Sequence, residues 1–139
     1  MTVIWVLAAA LPSPIKKYLI LNFYTMSHQR FMDCIRACLA CAVACNHCAT
    51  ECLSEDQVKH LARCIKLDLE CAAICRAAAE MMSLGSDYSI ELCRLCAEVC
   101  NACAEECEKH AAMGMEHCAQ CAEACRSCAD ACNNMISNN

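Results

Sequence analysis

The spacing of the cysteines constrains this chain more than any other feature. They stand at Cys34, Cys38, Cys41, Cys45, Cys48 and Cys52, then at Cys64, Cys71 and Cys75, then at Cys93, Cys96, Cys100, Cys103 and Cys107, and last at Cys118, Cys121, Cys125, Cys128 and Cys132. Within the first, third and fourth groups the intervals alternate between four and three, a seven-residue repeat with cysteine at both core positions. An α-helix with that repeat carries all its thiols on one stripe, whereas a strand would send alternate residues to opposite faces. Alanine fills much of the remainder, as in Cys96-Ala97-Glu98-Val99-Cys100-Asn101-Ala102-Cys103-Ala104, and alanine is the best helix former.

Punctuation in the sequence cuts this pattern into four helices. The first is predicted from near Ser27 to Leu53. Ser54 and Gln57 form a capping box, with Glu55 and Asp56 in the first turn, for a second helix that runs to about Ser83. Gly85 suits the left-handed position after that helix, and Ser86 or Asp87 is placed to cap a third, which ends near His110. Gly114 breaks the chain ahead of a fourth helix from about Met115 to Asn134. Connections this short force neighbouring helices antiparallel. The expected fold is therefore all-α, an antiparallel up-down-up-down four-helix bundle with a cysteine-lined core, formed by residues 26–139.

Residues 1–25 differ in character and are read as a separate N-terminal extension. Val3 to Leu11 is an apolar run well short of the roughly 20 residues needed to span a bilayer. With Ala8-Ala9-Ala10 it resembles the apolar core and cleavage site of a signal peptide, but nothing basic precedes it and no twin arginine is present. A second short apolar stretch, Tyr18 to Tyr24, follows Pro12, Pro14, Lys16 and Lys17. Met26-Ser27-His28 makes an ordinary cytosolic start just ahead of the first cysteine helix. The extension thus reads as an upstream artefact or a poor signal-like segment, and the expected location is cytoplasmic, or secreted or periplasmic if residues 1–25 act as a signal.

Composition narrows the function. Nineteen of 139 residues are cysteine, accompanied by only two glycines and two prolines, which argues against the loop-rich disulfide frameworks of small secreted proteins. The odd count prevents complete pairing. Cysteines at i and i+4 on a helix sit roughly 5 to 6 Å apart at Cβ, beyond the ~3.8 Å a disulfide prefers. The net charge is −5 with lysine and arginine scattered, so no electrostatic footprint for nucleic acid or an anionic membrane is present. Nor is there a nucleophile with its base, a carboxylate pair in an apolar setting or a phosphate-binding loop, and no enzymatic activity is expected.

A free cysteine is often just a small buried hydrophobe. Packing alone, however, would not keep Leu, Ile and Val out of almost every inward position of a bundle. The Cys-x-x-x-Cys pairs, such as Cys41/Cys45, Cys71/Cys75 and Cys121/Cys125, instead suit a metal ion between two sulfurs. Soft thiolates select Cu(I), Zn(II) or iron-sulfur clusters. Iron-sulfur motifs usually wrap a loop and often close with Cys-Pro, which this chain lacks, and structural zinc favours knuckles that converge four ligands. Charge separates the remaining two. Four tetrathiolate zinc sites would bury a formal charge of about −8, whereas a thiol that exchanges its proton for one Cu(I) leaves the core neutral. Copper is favoured. A zinc or general metallothionein-like thiol buffer and a redox protein with reversible disulfides are the alternatives.

From about Ser27 to Asn134 the sequence resembles the bacterial four-helix-bundle copper storage proteins. The resemblance lies in the Cys-x-x-x-Cys-x-x-Cys heptads, in Cys45-Asn46-His47-Cys48-Ala49, in the sparser run Cys64-Ile65-Lys66-Leu67-Asp68-Leu69-Glu70-Cys71-Ala72-Ala73-Ile74-Cys75, and in His117-Cys118-Ala119-Gln120-Cys121. It implies a bundle that stores many Cu(I) ions along its core on all nineteen cysteines, assembly as a homotetramer, and the cytosolic branch of the family.

The antiparallel order also distinguishes the two ends. His47, His60, His110 and His117 gather beside Cys52, Cys64, Cys107 and Cys118, with His110 and His117 the best candidates for receiving incoming copper. Met32, Met81, Met82 and Met135 collect at the other end, where they form either a second soft entrance or ordinary gap-filling core. Asp68, near the inward stripe of the second helix, is expected to be a surface or hydrogen-bonded acid, and Cys64 is a candidate to face outward.

Overall fold

The computed structural model describes the backbone from Ala10 to Asn139 and the side chains of that range apart from residues 22–28 and 30. Most of the signal-like run Val3 to Leu11 and the side chains of Met26, Ser27 and His28 lie outside the described residues. Four α-helices follow in order: α1 (Ser13–Leu53), α2 (Ala62–Ser83), α3 (Ser89–Ala111) and α4 (Glu116–Ser137), with a short 3-10 helix, Val58–Leu61, ahead of α2. The described residues contain no strand. Helix α1 packs on α2 and α4, and α3 packs on the same two, so the chain runs around the four edges of an antiparallel bundle as the short links require.

The boundaries differ from the sequence reading in three places. Helix α1 begins at Ser13 rather than near Ser27. Proline is tolerated in a first helical turn, where its missing N–H has no partner to lose, and no glycine or proline interrupts the chain from Ile15 to Leu53. The helix therefore runs about 27 Å, at 1.5 Å per residue, from Ser13 to Phe31. The capping box at Ser54 and Gln57 does not form. Ser54 instead closes α1, its Oγ donating back to the Thr50 carbonyl at 3.4 Å, and the chain makes the 3-10 turn anchored by buried Leu61 before α2 starts. Likewise neither Ser86 nor Asp87 caps α3: Ser86 Oγ accepts from the Tyr88 N–H at 3.2 Å inside the preceding turn.

The glycine turns are as expected. Gly85 has φ +63°, and the N–H groups of Gly85 and Ser86 donate to the carbonyls of Met82 and Met81 at 3.1 and 3.0 Å, satisfying the last open acceptors of α2. Gly114, at φ +94°, closes α3 with the corresponding pair of bonds, from Gly114 to Ala111 and from Met115 to His110.

The interior is sulfur and alanine. All nineteen cysteines are buried, including Cys64, which does not face outward. Among the described residues the only branched aliphatic side chains in the core are Ile35 and Leu61, while Leu39, Val43, Leu53, Leu69 and Leu95 are exposed. The stretch Phe31–Leu53 reaches a mean hydropathy of 1.2 and is long enough to cross a membrane, but its six cysteines are turned into the bundle, as in a core helix.

Helix propensity and thiol burial need no metal. The reduced apo protein should give a strongly helical far-ultraviolet circular dichroism spectrum that changes little on anaerobic addition of Cu(I). A coil-like apo spectrum that becomes helical with metal would contradict this architecture.

Candidate metal centre

Each helix contributes one stripe of thiols, and the four stripes meet along the bundle axis. Between α1 and α4 the Sγ atoms of Cys34 and Cys132, Cys38 and Cys128, and Cys45 and Cys125 all lie 3.6 Å apart. Between α2 and α3, Cys71 and Cys100 are 3.5 Å apart, and Cys75 and Cys100 are 3.6 Å apart. Sulfurs even touch across the diagonal, Cys41 to Cys100 at 4.0 Å and Cys71 to Cys125 at 3.9 Å. Within a helix the i,i+4 thiols stand at 3.9 to 4.0 Å, as at Cys41/Cys45 and Cys121/Cys125. These are non-bonded contacts, far longer than the ~2.05 Å of a disulfide, and every cysteine is free.

Groups of four sulfurs lie within 4.8 Å of one another in several places. One is Cys38, Cys96, Cys128 and Cys132; another is Cys48, Cys52, Cys64 and Cys118. Three more overlap: Cys41 and Cys71 belong both to a group with Cys75 and Cys100 and to one with Cys45 and Cys125, and Cys45 and Cys125 recur with Cys103 and Cys121. Shared members cannot serve separate tetrathiolate cages. Thiolates that bridge successive ions in a continuous array do fit this arrangement, and bridging is what a soft monovalent ion at near one-to-one ratio requires.

One carboxylate interrupts the sulfur. Asp68 is fully buried, not on the surface. Its Oδ1 accepts from the thiols of Cys103 at 3.2 Å, Cys121 at 3.3 Å and Cys107 at 3.5 Å, and its Oδ2 from Cys64 at 3.9 Å. The hydrogen-bonded acid is thus the form the structure takes. The spacing Cys64, Asp68, Cys71, Cys75 continues the four-three-four rhythm, so Asp68 occupies a heptad position that cysteine holds elsewhere. That rhythm was the available signal. Burial is the main cause that raises the Asp68 carboxyl from its ordinary 3.8 to about 8.

The histidine end is more finely built than the sequence indicated. His117 Nε2 stands 3.5 Å from Cys52 Sγ, and its Nδ1 is 3.9 Å from Glu55 Oε1. His110 is buried, its Nε2 lying 3.4 Å from Glu106 Oε1. Glu106 in turn is clamped through Oε2 by Lys109 at 2.8 Å and Arg63 at 3.2 Å. The Lys109 hydrogen bond, helped by His110, outweighs burial and holds the Glu106 carboxyl below its ordinary value, so it is an anion facing the imidazole. With the Nε2–H directed to this anion, the Nδ1 lone pair of His110 is the free one, and that atom is buried without a hydrogen-bond partner. His47 and His60, expected beside them, are exposed on the surface. Burial is also the largest cause that raises the Cys52 thiol at this mouth, so its proton stays until a metal replaces it.

The opposite end is plugged. Met82 and Met135 are buried at 1 % and 4 % exposure, with Phe31, Met32, Ile90, Leu92 and Ile136 packed around the core.

A helical bundle with a continuous buried thiol array, capped by imidazoles at one end, defines a container for soft metal ions. Comparison with known proteins makes this specific. Residues 27–137 match the family described as copper storage protein, and the chain belongs to that family. A cytosolic copper storage protein from Streptomyces lividans, described as loaded with five coppers, is 43 % identical with a TM-score of 0.77; the match covers 81 % of this chain and 97 % of that one. Apo copper storage protein 3 from Bacillus subtilis is 47 % identical, with a TM-score of 0.71 over 76 % of this chain and 98 % of that one. A cysteine-rich Bacillus subtilis protein, YhjQ, is 52 % identical over 64 residues, a match that covers 46 % of this chain and 59 % of that relative's length. As a member of that family, the protein is a copper storage protein.

The Asp68 carboxyl generates a pH dependence whose sign can be worked out. The folded state keeps a proton that the unfolded chain releases near 3.8, so stability falls as pH rises from about 4 to about 8 and levels off above. Thermal melts of the reduced apo protein should show that decline, and Asp68→Asn should flatten it. Parallel curves for the two proteins would contradict the buried, proton-retaining acid.

Proposed function

We propose that the bundle holds close to one Cu(I) per thiolate, on all nineteen cysteines with His110 and His117 as additional ligands, and that ions enter at the histidine end. The observation that carries this reading is the sharing of Cys41, Cys45, Cys71 and Cys125 among neighbouring sulfur groups, which suits a bridged array rather than isolated cages. Loading exchanges one thiol proton for one monovalent ion, so the core stays neutral however many ions it takes up. His117, against Cys52 at the mouth, and His110, with its free Nδ1, offer neutral nitrogen ligands through which an ion passes to the first thiols. The plugged methionine end directs traffic to that side.

The same reading makes the protein a store and not an enzyme, because its metal ions sit in a filled interior and turn over no substrate. Residues 26–139 form the copper-binding domain, and residues 1–25 stand outside it. A reducing cytoplasm keeps nineteen close thiols free for metal, in keeping with the cytosolic description of the Streptomyces lividans relative. Assembly as a homotetramer is proposed on the family resemblance, and the exposed aliphatic pair Leu39 and Val43 on α1 is surface that such an assembly would cover.

Paired variants test the division of labour. Replacing His110 and His117 by Ala should slow Cu(I) uptake in stopped-flow mixing while leaving the end-point metal count nearly intact. Replacing Cys41 and Cys45 should do the reverse, lowering the count by about two ions at one site per thiolate. Unchanged uptake rates in the histidine variant would move the entrance away from this end.

A further inference from the structure

The plugged end contains chemistry that gap-filling does not require. On α2 the inward positions after Cys75 are Ala78, Ala79 and Met82, so Met82 continues the stripe on which the thiols lie. Its Sδ accepts from the Cys93 thiol at 3.5 Å, as short as any thiol-thiol contact in the core, and both side chains are essentially inaccessible to solvent. Cys34 and Cys132, themselves 3.6 Å apart, lie close enough to Cys93 to perturb its thiol. A second observation concerns oxygen. Ser89 stands one turn before Cys93 on the same face of α3, is 2 % exposed, and its Oγ is buried with no hydrogen-bond partner. A buried hydroxyl left unpaired is costly, and such a group calls for an explanation, an absent ion or water among them.

We propose that Met82 is a copper ligand: the thioether Sδ of Met82 and the thiolate of Cys93 hold a Cu(I) at the plugged end of the bundle, and Ser89 Oγ–H donates to the metal-bound Cys93 thiolate. Thioether sulfur is a soft neutral donor suited to Cu(I) and poorly suited to zinc. The step balances without redox chemistry. Copper arrives as Cu(I), the Cys93 S–H bond breaks and its proton leaves for solvent, one copper-thiolate bond and one copper-thioether bond form, and no electron moves. The site keeps the core neutral by the same exchange as the thiolate array. It also gives the last ion a ligand where the thiol ladder ends. The inference rests on the proposed filling of the whole core by Cu(I).

Selenium reports on the thioether directly. The full chain is produced with selenomethionine, loaded anaerobically with Cu(I) to saturation, counted for metal, and examined by selenium K-edge X-ray absorption. A selenium-copper path should appear with an amplitude near one in eight, since one of eight methionines would carry it. The path should survive in Met135→Leu, whose side chain is also buried at this end, and vanish in Met82→Leu and in Cys93→Ser. Absence of the path in a wild-type protein that has taken up its full copper complement overturns the proposal, as does its persistence in Met82→Leu. Failure to take up copper at all would instead defeat the storage reading on which it rests.

Discussion

A buried thiol stays neutral only while it keeps its proton or exchanges that proton for a monovalent metal, and the whole molecule depends on this equivalence. Nineteen sulfurs in van der Waals contact could not all ionise inside a narrow helical bundle. With a proton on each they pack as small hydrophobes, which lets the apo bundle fold. In the proposed loading, a Cu(I) in place of each proton leaves every sulfur neutral as before. Storage in this fold therefore requires no rearrangement of charge, and helices close enough to bring sulfurs within 3.5 to 4.0 Å across both edges and diagonals of the bundle.

The two carboxylates that enter this interior handle charge in opposite ways. Asp68, surrounded by thiols and far from any cation in its contacts, retains its proton into the neutral range and so stays neutral like its neighbours. Glu106, at the mouth, is matched by Arg63 and Lys109 and stays ionised. Its role follows from that charge: an anion facing Nε2 of His110 fixes which imidazole nitrogen keeps the proton and which lone pair is free. The ionised group thus lies where solvent reaches its partners, and the neutral one lies where solvent does not.

Much of this was legible in the sequence because the heptad rhythm of cysteine leaves little freedom. It specified the helices, the single inward stripe on each, the antiparallel order and the soft-metal chemistry, and the two glycine turns fell at Gly85 and Gly114 as expected. Helix starts were less legible. Ser54 and Ser86 have the side chains of caps, but their hydroxyls bond within the turns at Thr50 and Tyr88, and the local competition between such bonds is not visible in spacing. The start of α1 was missed because the change of character before Met26 was read as the boundary of a separate extension, whereas proline in a first turn is compatible with a helix that runs on into the cysteine stripe. Asp68 was legible as a heptad member once cysteine is regarded as one occupant of the position rather than its definition. Glu106 and Ser89 were not, since what distinguishes them is partners from other helices or the lack of one, and Met82 was legible as a methionine of that end but not as the partner of Cys93.

The central claim is that protons and Cu(I) exchange one for one along the entire thiol array. Its most direct test is an anaerobic Cu(I) titration of the reduced protein against a chromophoric competitor, with proton release followed in parallel. The expected result is a plateau at roughly 15 to 20 ions per chain with about one proton released for each thiolate-bound ion. A plateau near four or five ions, with several protons released per ion, would contradict the account and indicate isolated tetrathiolate sites.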